Sequence, residues 1–239
     1  LTPLFYYLPI PILAAIIMVS IFGLVDFNYP KKLWVKNREE CIPYLFTFII
    51  TMTVGIPQGI FLGVLISLLT MIYRTSNPHI AVLAKIKGTH YYKNISRFED
   101  DIETDDRILI LRFDSQLFFG NKDFFKKELL KQIKNKGAAL ELIIINAETI
   151  NYIDSSALGM LEKIFDNHKN QGTRIMIAGA TGPVRDIIFK NDLIQIIGEE
   201  NLFIETSEAV NAFLEGITNS DIQKKITLQS KTDTNLIER

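Results

Sequence analysis

Leu142-Ile143-Ile144-Ile145, followed a few residues on by Tyr152-Ile153-Asp154-Ser155-Ser156-Ala157-Leu158-Gly159, reads as a strand running into a helix. Four consecutive aliphatic residues suit a strand covered on both faces. The helix is expected over 155–169, with Leu158, Leu161 and Phe165 on its buried side. Asp154 is placed to cap it, its carboxylate accepting from the first free N–H groups. Ser155 and Ser156 then stand at the helix N-terminus, where the dipole and the unpaired donors favour an added anion. A phosphate there would be locally stabilised and would change the surface by about two charges. Local physics leaves two readings open, capping chemistry alone or a phosphoacceptor.

Outward from this stretch, short strands alternate with amphipathic helices. Ile108-Leu109-Ile110-Leu111 is a second aliphatic run, and Phe125, Leu129 and Ile133 recur at helical spacing over 122–134. Gly172 ends the helix that Ser155 begins, and Arg174-Ile175-Met176-Ile177-Ala178 returns as a strand. Pro183 opens a third helix with Val184, Ile187 and Ile188 on one face. Leu202-Phe203-Ile204 is a last short strand, and 207–214 a last helix capped by Ser207. Gly179-Ala180-Thr181-Gly182-Pro183 lacks the lysine and spacing of a phosphate loop and reads as a strand-to-helix turn. The pattern predicts an α/β domain over 101–218, its mostly parallel or mixed sheet joined by crossover helices. Residues 76–100 supply a linker and the first strand, and the polar stretch 219–239 is expected to be a disordered tail.

The chain has 239 residues and a formal net charge of -1, and near-neutrality argues against nucleic acid as a partner. The charges are unevenly spread. Residues 1–75 hold only Lys31, Lys32, Lys36, Arg38 and Arg74 against Asp26, Glu39 and Glu40. Residues 4–25 carry no charge and would span about 33 Å as a helix, against a hydrocarbon core of about 30 Å. Phe5, Tyr6 and Tyr7 resemble an interfacial aromatic belt, and Pro9 and Pro11 mark a first turn. Residues 41–73 are also uncharged, about 50 Å as one helix, which is too long for one upright span. Gly55-Ile56-Pro57-Gln58-Gly59 at their centre predicts a break between short helices over 43–54 and 58–73. Cations in the loop 26–40 and after Tyr73 share one side only if the chain goes in and comes back, which places both on the cytoplasmic face. Gly55 and Gly59 then mark either a hairpin with close helix packing or the lining of a substrate path.

A single cysteine, Cys41, excludes an internal disulfide, and His79, His90 and His168 show no metal-ligand spacing. No catalytic constellation, metal site or cofactor motif is expected. The start at Leu1, with no basic leader or small-residue cleavage site, predicts a fragment rather than a secreted chain.

Ile153-Asp154-Ser155-Ser156-Ala157-Leu158-Gly159 resembles the signature loop of STAS domains, found in sulfate transporters and anti-sigma-factor antagonists. Leu117-Phe118-Phe119-Gly120-Asn121 resembles the strand-to-helix turn of STAS domains in the sulfate permease (SulP) family. The run Val54 to Gly59, through Ser67 to Arg74-Thr75-Ser76-Asn77-Pro78-His79, is similar to that family's last membrane segment. Pro11-Ile12-Leu13-Ala14-Ala15-Ile16-Ile17 resembles an earlier one. Ala84 departs from a glycine common in the family's linker.

The resemblance implies the C-terminal portion of a multi-pass transporter in the cell inner (plasma) membrane, with a cytoplasmic regulatory STAS domain. It implies secondary transport of sulfate, bicarbonate, a similar inorganic anion or a small dicarboxylate, without covalent chemistry. Membrane lipid, a second copy in a homodimer and a cytoplasmic protein partner are the implied neighbours. Substrate contacts are expected on upstream helices, so none is assigned here. Ser156, with Ser155 beside it, matches the serine that a kinase phosphorylates in the freestanding antagonists. The alternative is a membrane-tethered STAS module of the anti-anti-sigma type, binding a kinase or anti-sigma partner and carrying nothing.

Overall fold

The computed structural model describes residues 10–23, 26, 28–36, 38–98 and 101–216. The expected aromatic belt at Phe5–Tyr7, Pro9 and the tail 219–239 lie outside them. The chain divides into two compact units, Leu1–Ile72 and Tyr73–Arg239.

In the first unit the elements are α1 (Ile10–Phe22), α2 (Asn28–Lys36), α3 (Arg38–Thr53) and α4 (Ile56–Ser76). Among the described residues α4 alone is long and apolar enough to cross a membrane, and Ile10–Phe22 and Glu40–Thr53 are shorter apolar helices. Within these helices Ser20, Thr51, Thr53 and Thr70 each donate a hydroxyl to the carbonyl four residues back. The stretch 26–40, expected as a loop, holds α2. Asp26 starts it by accepting the backbone N–H of Asn28 at 2.9 Å and of Tyr29 at 3.2 Å, and Pro30 sits in the first turn.

The second unit is a mixed sheet with helices on both faces. Its strands are β1 (Ile80–Ile86), β2 (Tyr92–Asn94), β3 (Ile102–Glu103), β4 (Ile108–Phe113), β5 (Leu142–Asn146), β6 (Arg174–Ala178) and β7 (Leu202–Phe203). The order is β2-β1-β4-β5-β6-β7, with β3 also pairing β1. β4 to β7 are parallel, whereas β1 lies antiparallel to β2, β3 and β4. The first strand, which the sequence sets ahead of 101–218, is thus an interior strand of the sheet.

Alternation along the strands builds two cores. Leu109, Leu111, Ile143, Ile145, Ile175 and Ile177 face α5 (Lys122–Lys136), α6 (Ser155–Asn170), α7 (Gly182–Lys190) and α8 (Leu193–Ile197). Ile108, Ile110, Leu142, Ile144 and Met176 face a single helix, α9 (Thr206–Glu215). A buried polar link pins that helix, with the Asn146 amide donating to Thr206 Oγ1 at 2.9 Å. One helix cannot cover a seven-stranded face. Beside α9 a cavity of about 260 Å³ remains, floored by Leu83, Ile108 and Ile110.

Two sequence expectations shift by small amounts. Ser207 is not the cap of α9. Glu205 holds the cap position, and Ser207 Oγ donates to its carboxylate at 3.0 Å. Ile204 falls outside β7 and is 63% exposed.

Candidate functional site

β5 ends at Asn146, and the chain then passes over the rim of the sheet to Asp154, where α6 begins. Asp154 takes the expected cap role, Oδ1 accepting the Ala157 N–H at 2.7 Å. Its second oxygen does something the sequence does not announce: Oδ2 accepts the Phe119 N–H at 2.8 Å. Leu117 and Ile153 add a parallel bridge, through Leu117 N–H to the Tyr152 carbonyl at 2.9 Å and Asp154 N–H to the Leu117 carbonyl at 3.1 Å. The 117–121 turn is closed from its other end by Asn121, which is buried. Its side chain accepts the Phe118 N–H at 3.0 Å and donates to the Gln116 carbonyl at 2.8 Å. Two turns that follow different strands are thereby joined into one ledge at the sheet rim.

Ser155 is the first residue of α6 and is exposed, while Ser156 is half-buried. The Ser156 hydroxyl accepts a hydrogen bond from Lys122 Nζ at 2.7 Å. Lys122 opens α5, so the first turns of α5 and α6 stand side by side, with a groove of about 320 Å³ between them. Lys122, Lys126 and Lys163 line it together with Ser155 and Ser156, and Asp123 is the acid among them. Gly159 contributes open space, since nothing lies within 4 Å of where its Cβ would stand. On the rim, Phe119 is 72% exposed and Tyr152 48% exposed. The ensemble offers two hydroxyls, three ammonium groups and two aromatic faces, a set able to hold an anion beside apolar side chains.

A second charged cluster lies at the start of β1. His79 Nδ1 is 2.8 Å from Asp114 Oδ2, and Arg112 donates to both oxygens of Asp114 at 2.7 and 3.1 Å. Burial pushes the Asp114 carboxyl up, and its bonds to Arg112 and His79 outweigh that and hold it below the usual carboxylate range.

In the first unit the break between α3 and α4 narrows to Val54 and Gly55, and Gly55 takes φ +139°. Pro57 and Gly59, expected in the break, lie inside α4. Pro57 falls in the first turn, where a missing N–H costs nothing. Gly59 is buried, and a Cβ there would collide with Thr51. One at Gly63 would stand 2.8 Å from Thr47. The two helices therefore run back along each other at close range through small residues.

A family model described as STAS domain matches residues 79–210. Sulfate transporter 4.1, chloroplastic, of Arabidopsis thaliana is 30% identical over 234 residues, which is 94% of this chain and 34% of that one. High affinity sulfate transporter 2 of Stylosanthes hamata is 25% identical over 89% of this chain and 33% of its own. The chain spans about a third of the length of the curated relatives it matches. Among solved structures, the murine Slc26a9 anion transporter in the inward-facing state superposes with a TM-score of 0.67 at 20% identity. That match covers 76% of this chain and 29% of the transporter.

Proposed function

The chain belongs to the STAS domain family, and on that premise we propose that it is the C-terminal portion of a SulP-type secondary anion transporter. It comprises the last membrane segments and a cytoplasmic STAS domain. The observation that carries this reading is the similarity to a sulfate transporter along 94% of the chain, through the apolar helices as well as the sheet. Those helices turn large apolar side chains outward, Phe61 by 69% and Tyr73 by 70%, as a hydrocarbon solvent requires. The cargo is sulfate or a related inorganic anion, bicarbonate or a small dicarboxylate, bound on helices upstream of this portion.

Within that protein the ledge at Asp154–Ser156 receives a signal. A phosphate on Ser156, or on the more exposed Ser155, would add nearly two negative charges at the N-terminus of α6. Lys122 already touches the Ser156 hydroxyl, and Lys126 and Lys163 share the groove, so the new charge would meet three cations. Phe119 and Tyr152 give a cytoplasmic protein partner two aromatic anchors beside the charge.

The complete reading frame, expressed in cells lacking sulfate uptake, should restore accumulation of labelled sulfate or of one of the related anions. A protein that reaches the membrane and moves none of them would be the tethered regulatory module instead. In the same cells Ser156→Asp places one charge near the dipole, worth about 0.3–1 kcal/mol, so the fold should hold while transport or partner capture changes. Unchanged transport and capture by the folded variant would reduce the ledge to a structural cap.

A further inference from the structure

Between the apolar helices of the first unit, α2 carries Lys31, Lys32 and Lys36 within nine residues and no acid. At 100° per residue these lysines fall, with Asn28 and Val35, inside one sector of about 140°. The same five residues line a shallow groove of about 340 Å³ that contains no carboxylate. The other side of the helix is apolar and already engaged. Pro30 and Leu33 are half-buried, and Tyr29 meets Tyr44 of α3 edge to face at 5.7 Å. Trp34 lies at the border between the two sides, 51% exposed, with the Arg38 guanidinium 5.7 Å from its ring centre. Val35 is 78% exposed in the middle of the lysine face.

A cationic face with an exposed valine at its centre and tryptophan at its border is matched to a layer where phosphate and acyl chain meet. Water alone would solvate the lysines and leave Val35 and Trp34 unpaid; a protein surface would have to be both anionic and greasy in the same few ångströms. The helix also leads directly into the apolar Glu40–Thr53 stretch, which keeps it near a bilayer surface. We propose that α2 is an interfacial helix whose Lys31, Lys32 and Lys36 face binds the phosphate groups of anionic lipids. The inference rests on the membrane reading above and adds to it a lipid class and the residues that select it.

Trp34 is the single tryptophan of the chain and so reports from the site itself. The full chain is reconstituted in phosphatidylcholine vesicles, with and without added phosphatidylglycerol. Anionic lipid should shift Trp34 emission to the blue and shield it from acrylamide, and 1 M salt should reverse both effects, the Debye length then being about 3 Å. Each lysine is expected to contribute about fivefold to the partition onto anionic lipid. Lys31→Gln, Lys32→Gln and Lys36→Gln together should therefore make the two vesicles indistinguishable, while the corresponding triple arginine variant should respond as the native chain does. Equal Trp34 signals in both vesicles for the native chain, or an unaltered response in the triple glutamine variant, would overturn the proposal. So would the same blue shift produced by inorganic phosphate or sulfate in phosphatidylcholine vesicles, which would make the groove a site for free anions. Flotation separates the two levels of the argument. A chain that floats with both vesicles but does not discriminate between them refutes lipid selection alone, and one that floats with neither refutes the membrane reading beneath it.

Discussion

Leu68 of α4 is 53% exposed and Leu111 of β4 is fully buried, and that contrast holds for the regions around them. In the sheet, apolar side chains alternate between two cores and the polar residues turn to the surface. In the helices, Phe48, Phe61 and Leu68 point outward, while Gly59 and Gly63 lie against Thr51 and Thr47 at the α3–α4 contact. Among the described residues the first region bonds its backbone chiefly within helices, and the second adds ladders between strands. The difference lies in what surrounds them. The sparse charge of residues 1–75 already separates the two regions, and the direction of the side chains adds that one keeps its apolar residues inside while the other turns them outward.

The sharpest way to break the contrast is to cut the chain. A piece covering 76–216 keeps every strand and should melt in one cooperative transition in water. A piece covering 101–216 loses β1, which pairs with β2, β3 and β4, and should show no cooperative melt. Cooperative melting of the shorter piece would make β1 dispensable, and insolubility of the longer one would undo the distinction between the regions.

Single truncations sharpen the contrast further. Leu111→Ala should cost about 2–5 kcal/mol in denaturant melts of the full chain in detergent. Leu68→Ala should cost less than about 0.5 kcal/mol, because more than half of the residue already lies outside protein contact. Equal costs would mean that α4 has a protein partner on its outward face.

The smallest effects lie at the ledge. Asp154→Ala removes acceptors for two backbone N–H groups and should cost about 1–2 kcal/mol. Ser156→Ala removes one half-exposed contact with Lys122 and should cost about 0.5 kcal/mol or less. A larger loss for Ser156 than for Asp154 would reverse the assignment of cap and signal residue.

Much of this was legible in the sequence because it is local. The aliphatic runs at Ile108, Leu142 and Arg174–Ala178, the helical spacing of Phe125, Leu129 and Ile133, and the Asp154 cap all follow from neighbours within a few residues. Three features were not. The antiparallel insertion of β1 depends on pairing across the sheet, for which its own residues carry no signal. The Phe119–Asp154 and Lys122–Ser156 bonds join residues 35 and 34 positions apart, and no spacing rule reaches that far. The short α8 and the Glu205 cap were hidden by ordinary alternatives nearby. The misplaced half of the helix break has a simpler cause: proline and glycine are breakers in the middle of a helix, and Pro57 and Gly59 stand in its opening turns.

Thr51, which faces Gly59 across the α3–α4 contact, has given its only hydroxyl proton to the Thr47 carbonyl at 2.8 Å. What remains on that oxygen is a pair of acceptor lone pairs. An anion approaching Thr51 would meet electron density on this oxygen, and would have to break an internal bond of the helix to gain its proton. Chemically the Thr51–Gly59 contact is suited to close packing, and its hydroxyl oxygen holds no free proton to offer an anion.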